Sequence, residues 1–271
     1  MSLKQIHHSL ISGWFTVIVF ILLVFIMRLL SQPDWNDPAF WAAFLLQVTI
    51  SLALLQVNHT FTIIRSQTIL PALFYLLMTG GTPLFYTAWQ GSIAAFGVLI
   101  CLIYLFGSYQ KPASQLNALN IGLILTFCSF VWPPVLLLFP FIWYCFYAFR
   151  SLNFRTFFAT IIGIMTVYLF VFAWNIYHGG IRNFFEMLPQ WQEFLVIHPF
   201  SLDSLDILVF VLLAVLFVIS GFDIFVSGLS EKIRARTYLK YLYLTTICIT
   251  VVMNLQSEWK ANWTLILCLP V

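Results

Sequence analysis

The sequence predicts an all-α fold: a polytopic helical membrane protein of about 8–10 transmembrane helices, with a proline-broken hairpin and an amphipathic helix on the outer face. Three observations carry this. The 271 residues are 62% hydrophobic and only 8% charged, against roughly 25% charged in a soluble domain, so too few charges remain to cover a water-facing surface. Apolar runs recur at lengths near the ~20 residues that cross a bilayer as a helix. The lysines and arginines fall mostly between alternate runs, which is how cytoplasmic loops are marked. The whole chain, 1–271, reads as one integral-membrane domain. Its net charge of +3 is explained by orientation, and nucleic acid is not an expected partner.

The first span is Trp14–Leu30, retained because no small-residue cleavage site follows it. The loop SQPDWNDPAF leads to a second span, Phe40–Phe61, and TIIRSQT to a short third, Ile69–Met78. The stretch TGGTPLFYTAWQG completes and turns that span. A fourth covers Ser92–Phe106, and SYQKPASQLN follows it.

Ala118–Phe149 then runs 32 residues without a charge. As a straight helix it would be about 48 Å long, well beyond the ~30 Å of hydrocarbon. Lys111 precedes it, and Arg150 and Arg155 follow it. With basic residues inside at both ends, the segment must enter and return. Pro133 and Pro134 supply the break, so a tight helical hairpin is expected with its tip at Trp132–Pro134.

Further spans are Phe157–Ile176, Ile207–Val226 and Leu239–Leu255, with a long outer loop Tyr177–Asp206 and the basic link SEKIRARTYLKY between them. The last apolar run, Trp263–Val271, is too short to cross, and a C-terminal continuation is expected. This topology puts the N-terminus in the cytoplasm of a bacterial inner membrane. Lys4, Arg65, Lys111, Arg150, Arg155, Lys232, Arg234, Arg236 and Lys240 lie inside, and Arg28, Arg182 and Lys260 outside. Seven acids lie outside: Asp34, Asp37, Glu186, Glu193, Asp203, Asp206 and Glu258.

The outer face therefore holds the candidate chemistry. Asp37 precedes Pro38, the pattern of a helix N-cap followed by proline at the first helical position. Asp34 is either a solvated loop acid or a general base at the membrane surface. In IRNFFEMLPQWQEFL the apolar residues fall at helical spacing, as in a helix lying on the outer leaflet. That helix is either a lid or a wall that guides a lipid-anchored substrate. His178 is either an ionisable candidate on this outer face or a polar anchor. Arg28, near the outer end of its span, is expected to snorkel to water. His59 and Arg65 read as anchors at the other end of the second span, and Asp223 as a partner for Lys232 or another inside cation. The five cysteines form no CxxC pair and read as small buried hydrophobes. No motif for a metal or cofactor appears, and none is expected.

The stretches RSQTILPALFYLL, LNALNIGLILTFCSFVWPPVLLLFPFIW and FRSLNFRTFFATIIG resemble a family of uncharacterised bacterial multi-pass inner-membrane proteins, over most of the chain. More distantly, the layout resembles the GT-C class of membrane glycosyltransferases. There an acid in the first outer loop is followed by an apolar hairpin with glycine and proline, and then by a basic link. Asp34 or Asp37 matches the acid, Gly122 with Pro133–Pro134 the hairpin, and Arg150 and Arg155 the link. The resemblance implies action on a lipid-linked sugar, or a similar amphiphile, at the outer face. Asp34 and Asp37 would be catalytic, and His178, Arg182, Glu186, Glu258 and Lys260 would bind substrate, with Arg182 and Lys260 balancing pyrophosphate charge. Membrane lipid, a lipid-linked glycan and other envelope membrane proteins are the expected partners. The first outer loop is short, and the second, MTGGTPLFYTAWQG, holds no acid. A non-enzymatic subunit or scaffold of an envelope complex is the alternative, and a small-molecule transporter the third reading.

Overall fold

The computed structural model describes residues 14–30, 37–61, 69–81, 85–109, 111, 114–178 and 266. Among these, all regular structure is helical. The helices are α1 (Trp14–Leu30), α2 (Pro38–Phe61), α3 (Leu70–Gly81), α4 (Trp89–Gly107), α5 (Gln115–Ser129), a 3-10 helix (Pro133–Leu138), α6 (Phe139–Ala148) and α7 (Phe154–His178). Three stretches, Pro38–Asn58, Trp89–Gly107 and Phe154–His178, are long and apolar enough to cross a membrane. This is the all-α, polytopic membrane architecture that the composition predicts. The amphipathic helix expected over residues 181–195 and the spans Ile207–Val226 and Leu239–Leu255 lie outside the described residues, as does Trp263–Val271 apart from Ile266.

Element boundaries differ from expectation where a local bond or contact extends a helix. α2 starts two residues before Phe40, because Asp37 caps it and Pro38 occupies a position where no amide donor is needed. α4 starts at Trp89 rather than Ser92. α3 runs past Met78 to Gly81, since Gly80 fits directly against Val24 of α1. A Cβ at Gly80 would lie 2.6 Å from Val24 Cγ1.

The chain divides into two compact units, Met1–Ala95 with Phe200–Val271, and Phe96–Pro199. In the first, Val17 packs with Ile69 and Ala72, and Val24 meets Gly80. Positions rise together on both helices, so α1 and α3 run parallel. On α2, Leu55 joins the Val17 cluster while Phe44 meets the ring of Phe25 at 5.5 Å. α2 therefore runs antiparallel to α1, and its Ser51 hydroxyl donates to Ala72 O of α3 at 3.0 Å.

In the second unit, Asn117 Nδ2 donates to Ser108 Oγ at 2.9 Å, Cys101 faces Ile121 O, and Gly97 abuts Cys128. α4 and α5 are thus antiparallel. α5 and α7 meet backbone to backbone: a Cβ on Gly163 would lie 2.5 Å from Leu119 O and 3.1 Å from Gly122 Cα. Further along both helices, Phe130 packs on Tyr168 at 5.5 Å. α5 and α7 therefore run parallel, and the chain between them must go back to the side where α5 began. Phe149, just past α6, packs on Tyr109 at 5.4 Å, beside the C-terminal end of α4. The entry and return inferred from the flanking charges is the geometry found.

The prolines act differently from expectation. The turn itself is Phe130–Trp132, closed by the Val131 and Trp132 amides, which donate to Cys128 O. Trp132 is extended (φ −143°, ψ 93°), as the ring of a following proline requires. Pro133 and Pro134 then open the return leg as the first residues of a 3-10 helix. That choice solves a length problem. Six 3-10 residues at about 2.0 Å and ten α residues at about 1.5 Å reach ~27 Å, close to the ~30 Å of hydrocarbon. The return leg ends at Arg150, whose φ of 55° is left-handed. The amides of Ser151 and Leu152 donate back to Phe146 O at 3.0 Å each.

Two outcomes follow from these contacts. Gly163→Ala must push apart two backbones, and is expected to destabilise the protein by ~1–3 kcal/mol. Gly107→Ala, where the nearest atom lies 3.5 Å from the added Cβ, is the tolerated control. Melting in detergent compares the two. Arg150→Gly relieves a left-handed side chain and is expected to raise stability by ~1 kcal/mol, read in the same assay.

Candidate functional site

The most unusual group in the first unit is Arg28. It sits in the last turn of α1, where a long cationic side chain is expected to reach water. Instead it is fully buried, at 0% exposure. The expectation of snorkelling is therefore corrected: the side chain turns inward because an acceptor and three aromatic rings receive it. Arg28 Nη2 donates to Gln47 Oε1 of α2. The guanidinium carbon lies 5.8 Å from the Phe40 ring centroid, 5.3 Å from Phe44 and 4.8 Å from Tyr86.

Each partner is held in turn. An arginine only donates, so Gln47 must present its oxygen to it. The other half of the amide donates from Nε2 to Phe85 O at 3.0 Å and to Ser92 Oγ at 3.3 Å. Ser92 passes its own proton to Ala88 O at 2.9 Å. The Tyr86 hydroxyl donates to Gly80 O at 2.8 Å, and its ring meets Phe40 edge-on at 6.3 Å. Arg28 thus ties α1 to α2, to residues 85–86 and to the start of α4.

The electrostatics are incomplete. Arg28 Nε and Nη1 are buried and have no hydrogen-bond partner among the described residues. Removing an ion from water costs on the order of several kcal/mol. A desolvated cation–π contact returns about 2 kcal/mol, and a neutral amide contributes one charge-assisted bond. No described residue supplies it a carboxylate: Asp37 is the one acid among them, and its Oδ1 accepts the Ala39 amide at 2.9 Å. Asp37 is therefore the helix cap that its position before Pro38 predicts.

Of the other sequence candidates, His178 is the last residue of α7 and is exposed. Its Nδ1 lies 3.1 Å from Trp174 O, and its ring packs on Trp174 at 4.1 Å and Tyr177 at 4.8 Å. This is the geometry of an aromatic anchor at a helix end. Asp34, Arg182, Glu186, Glu258 and Lys260 lie outside the described residues. Gly122 serves as the contact point of α5 with α7. Cys101, Cys128 and Cys145 are buried, as their apolar surroundings predict. Among the described residues no cluster of histidine, cysteine or acid could hold a metal. A void of about 10 Å³ between Val98, Cys101, Leu125 and Phe141 is apolar and of water size at most.

Sequence reasoning passed over Gln47, Phe40, Phe44 and Tyr86. One signal was available: Gln47 interrupts the apolar run WAAFLLQVTISLALL, and an amide in mid-span needs partners. Comparison with family models, curated proteins and solved structures finds no match for the chain. The fold and the buried cation define its class, an all-α polytopic membrane protein with an ionisable group held inside the helix bundle.

The capping role separates by substitution. Asp37→Ala is expected to cost about 1 kcal/mol, whereas Asp37→Asn, an equally good cap, is neutral in stability. Thermal melting in detergent checks this, and the Asn variant removes a base without removing the cap.

Proposed function

We propose that the protein acts on a lipid-linked sugar or similar amphiphile at the outer face of a bacterial inner membrane, on a scaffold resembling the GT-C glycosyltransferases. The observation that supports this best is the guanidinium of Arg28, buried in the last turn of α1 with no carboxylate partner among the described residues, just before the Asp34–Asp37 loop in sequence. A cation followed closely in sequence by loop carboxylates supplies the two groups that transfer from a lipid phosphate needs: one for the phosphate and one for the acceptor proton.

In the proposed reaction the acceptor hydroxyl attacks the anomeric carbon. The bond from that carbon to the phosphate oxygen breaks, and the phosphate leaves on its lipid. Asp34 takes the hydroxyl proton. Asp37 holds the start of α2 and so the far end of the loop. Arg182 and Lys260 balance pyrophosphate charge, and His178, Glu186 and Glu258 contact the substrate from the later outer segments. The N-terminus lies in the cytoplasm in this reading.

A non-enzymatic subunit or scaffold of an envelope complex is the second reading. It is favoured by Asp37, whose carboxylate is engaged as a cap. Mild-detergent purification with mass spectrometry separates the two, since a stoichiometric partner chain without lipid-linked sugar belongs to the scaffold. Asp34→Asn is expected to abolish envelope glycan transfer in cells at normal expression. Unchanged transfer in that variant removes the catalytic assignment.

A further inference from the structure

Arg28 is charged at every pH a cell meets, because a guanidinium does not release its proton in proteins. Its burial therefore cannot be relieved by neutralisation, as it can for a buried lysine or carboxylate. The charge must be balanced by an anion or borne as a cost. Buried Tyr75 lies close enough to interact with its charge, and four further groups contact it. Phe40, Phe44 and Tyr86 offer ring faces, and Gln47 takes one donor, Nη2. Two donors on different edges of the fork, Nε and Nη1, remain.

This pattern differs from that of the polar side chains elsewhere in the helices. Thr79, Ser92, Ser108, Thr126 and Thr160 each return their proton to a carbonyl four residues back. Gln47 is itself bonded on both sides of its amide. The neutral hydroxyls are satisfied locally, whereas two donors of Arg28 have no hydrogen-bond partner among the described residues. A ring faces the guanidinium from Tyr86, which stands on the non-helical residues 86–88 and is held by its hydroxyl bond to Gly80 O and its edge-on contact with Phe40. Of the three rings over the guanidinium, Tyr86 is the one not carried by a helix.

We propose that Arg28 is the anchor of a phosphate site: a phosphate oxyanion seats on Nε or Nη1, with the Tyr86 ring as the movable wall. The inference rests on the amphiphile reading above and deepens it by naming the group that is recognised. Phosphate fits better than a neutral headgroup because only an anion cancels the buried charge, and its several oxygens accept from an arginine in more than one direction. The source of the phosphate is either a lipid headgroup or the free ion, and the probes below tell them apart.

The test uses the full chain, purified in a maltoside detergent that carries no phosphate. Melting is followed against decyl phosphate, inorganic phosphate and decyl maltoside as the uncharged amphiphile. Decyl phosphate is expected to raise the melting temperature, with inorganic phosphate at least tenfold weaker and the maltoside without effect. Inorganic phosphate acting as strongly as decyl phosphate keeps the site and assigns it to the free ion. Arg28→Lys removes the fork while keeping the charge, and is expected to weaken binding about tenfold, the value of one charge-assisted bond.

A variant that loses Arg28 can fail to fold, so a second change decides independently. Gln47→Glu places a carboxylate on the same guanidinium with nearly the same shape. It is expected to remove the phosphate-dependent shift by supplying the anion internally. No shift in folded wild-type protein, or the same shift in Gln47→Glu, overturns the proposal. Its failure is distinguishable from that of the enzymatic reading. Phosphate binding that depends on Arg28, together with unchanged glycan transfer in Asp34→Asn, leaves the site and removes the catalysis. Transfer lost in Asp34→Asn without phosphate binding at Arg28 does the reverse.

Discussion

Inside hydrocarbon, a polar group finds its hydrogen-bond partner within the protein or goes without. Most of the described structure is arranged around that constraint. Hydroxyls fold back on their own helices, as Thr126 does to Gly122 O and Thr160 to Thr156 O. The break in the long apolar segment is capped at once, by amides donating to Cys128 O and by two prolines that have no amide to satisfy. Helices are joined by small residues where backbones can touch. Arg28 stands apart because it brings five donors into the interior and finds one acceptor among the described residues.

How the helices are brought together follows from the same economy. Between apolar helices in lipid there is no hydrophobic gain, so close packing decides which pair associates. On α7 the buried residues are Thr156, Ala159, Thr160, Gly163 and Asn175. The first four form a stripe of small side chains at helical spacing. On α5 the small buried residues include Ala118, Gly122, Thr126 and Ser129, and Gly122 meets Thr160 and Gly163 of α7. The rest of α7 carries large apolar residues outward, among them Phe158, Ile162, Met165, Leu169 and Trp174. One face is built for a helix and the other for an apolar medium.

Much of this was legible in the residues. Composition alone gave the class. The charges at Lys111, Arg150 and Arg155 gave the return of the chain, because orientation is encoded in loops and not in helix contacts. The Asp37–Pro38 pair gave the start of α2. Other features were not legible, for physical reasons. A 3-10 leg differs from an α leg by about half an ångström of rise per residue, and no residue type marks it. Arginine at a span's end turns to water or inward according to what the neighbouring helix offers, and Gln47 lies nineteen positions away. The small-residue stripe of α7 could be seen, but not which helix it meets. For Asp34 and the later outer loop, the sequence supplies candidates by chemistry alone.

The contact of Gly122 with Gly163 also bears on the order of assembly. The two glycines lie on parallel helices, and the residues between them run out through α6 and back into α7. Neither can reach the other until that intervening leg has been threaded across. This backbone-to-backbone junction is therefore a record of insertion: it closes only in chains whose hairpin has already been laid down in the right direction.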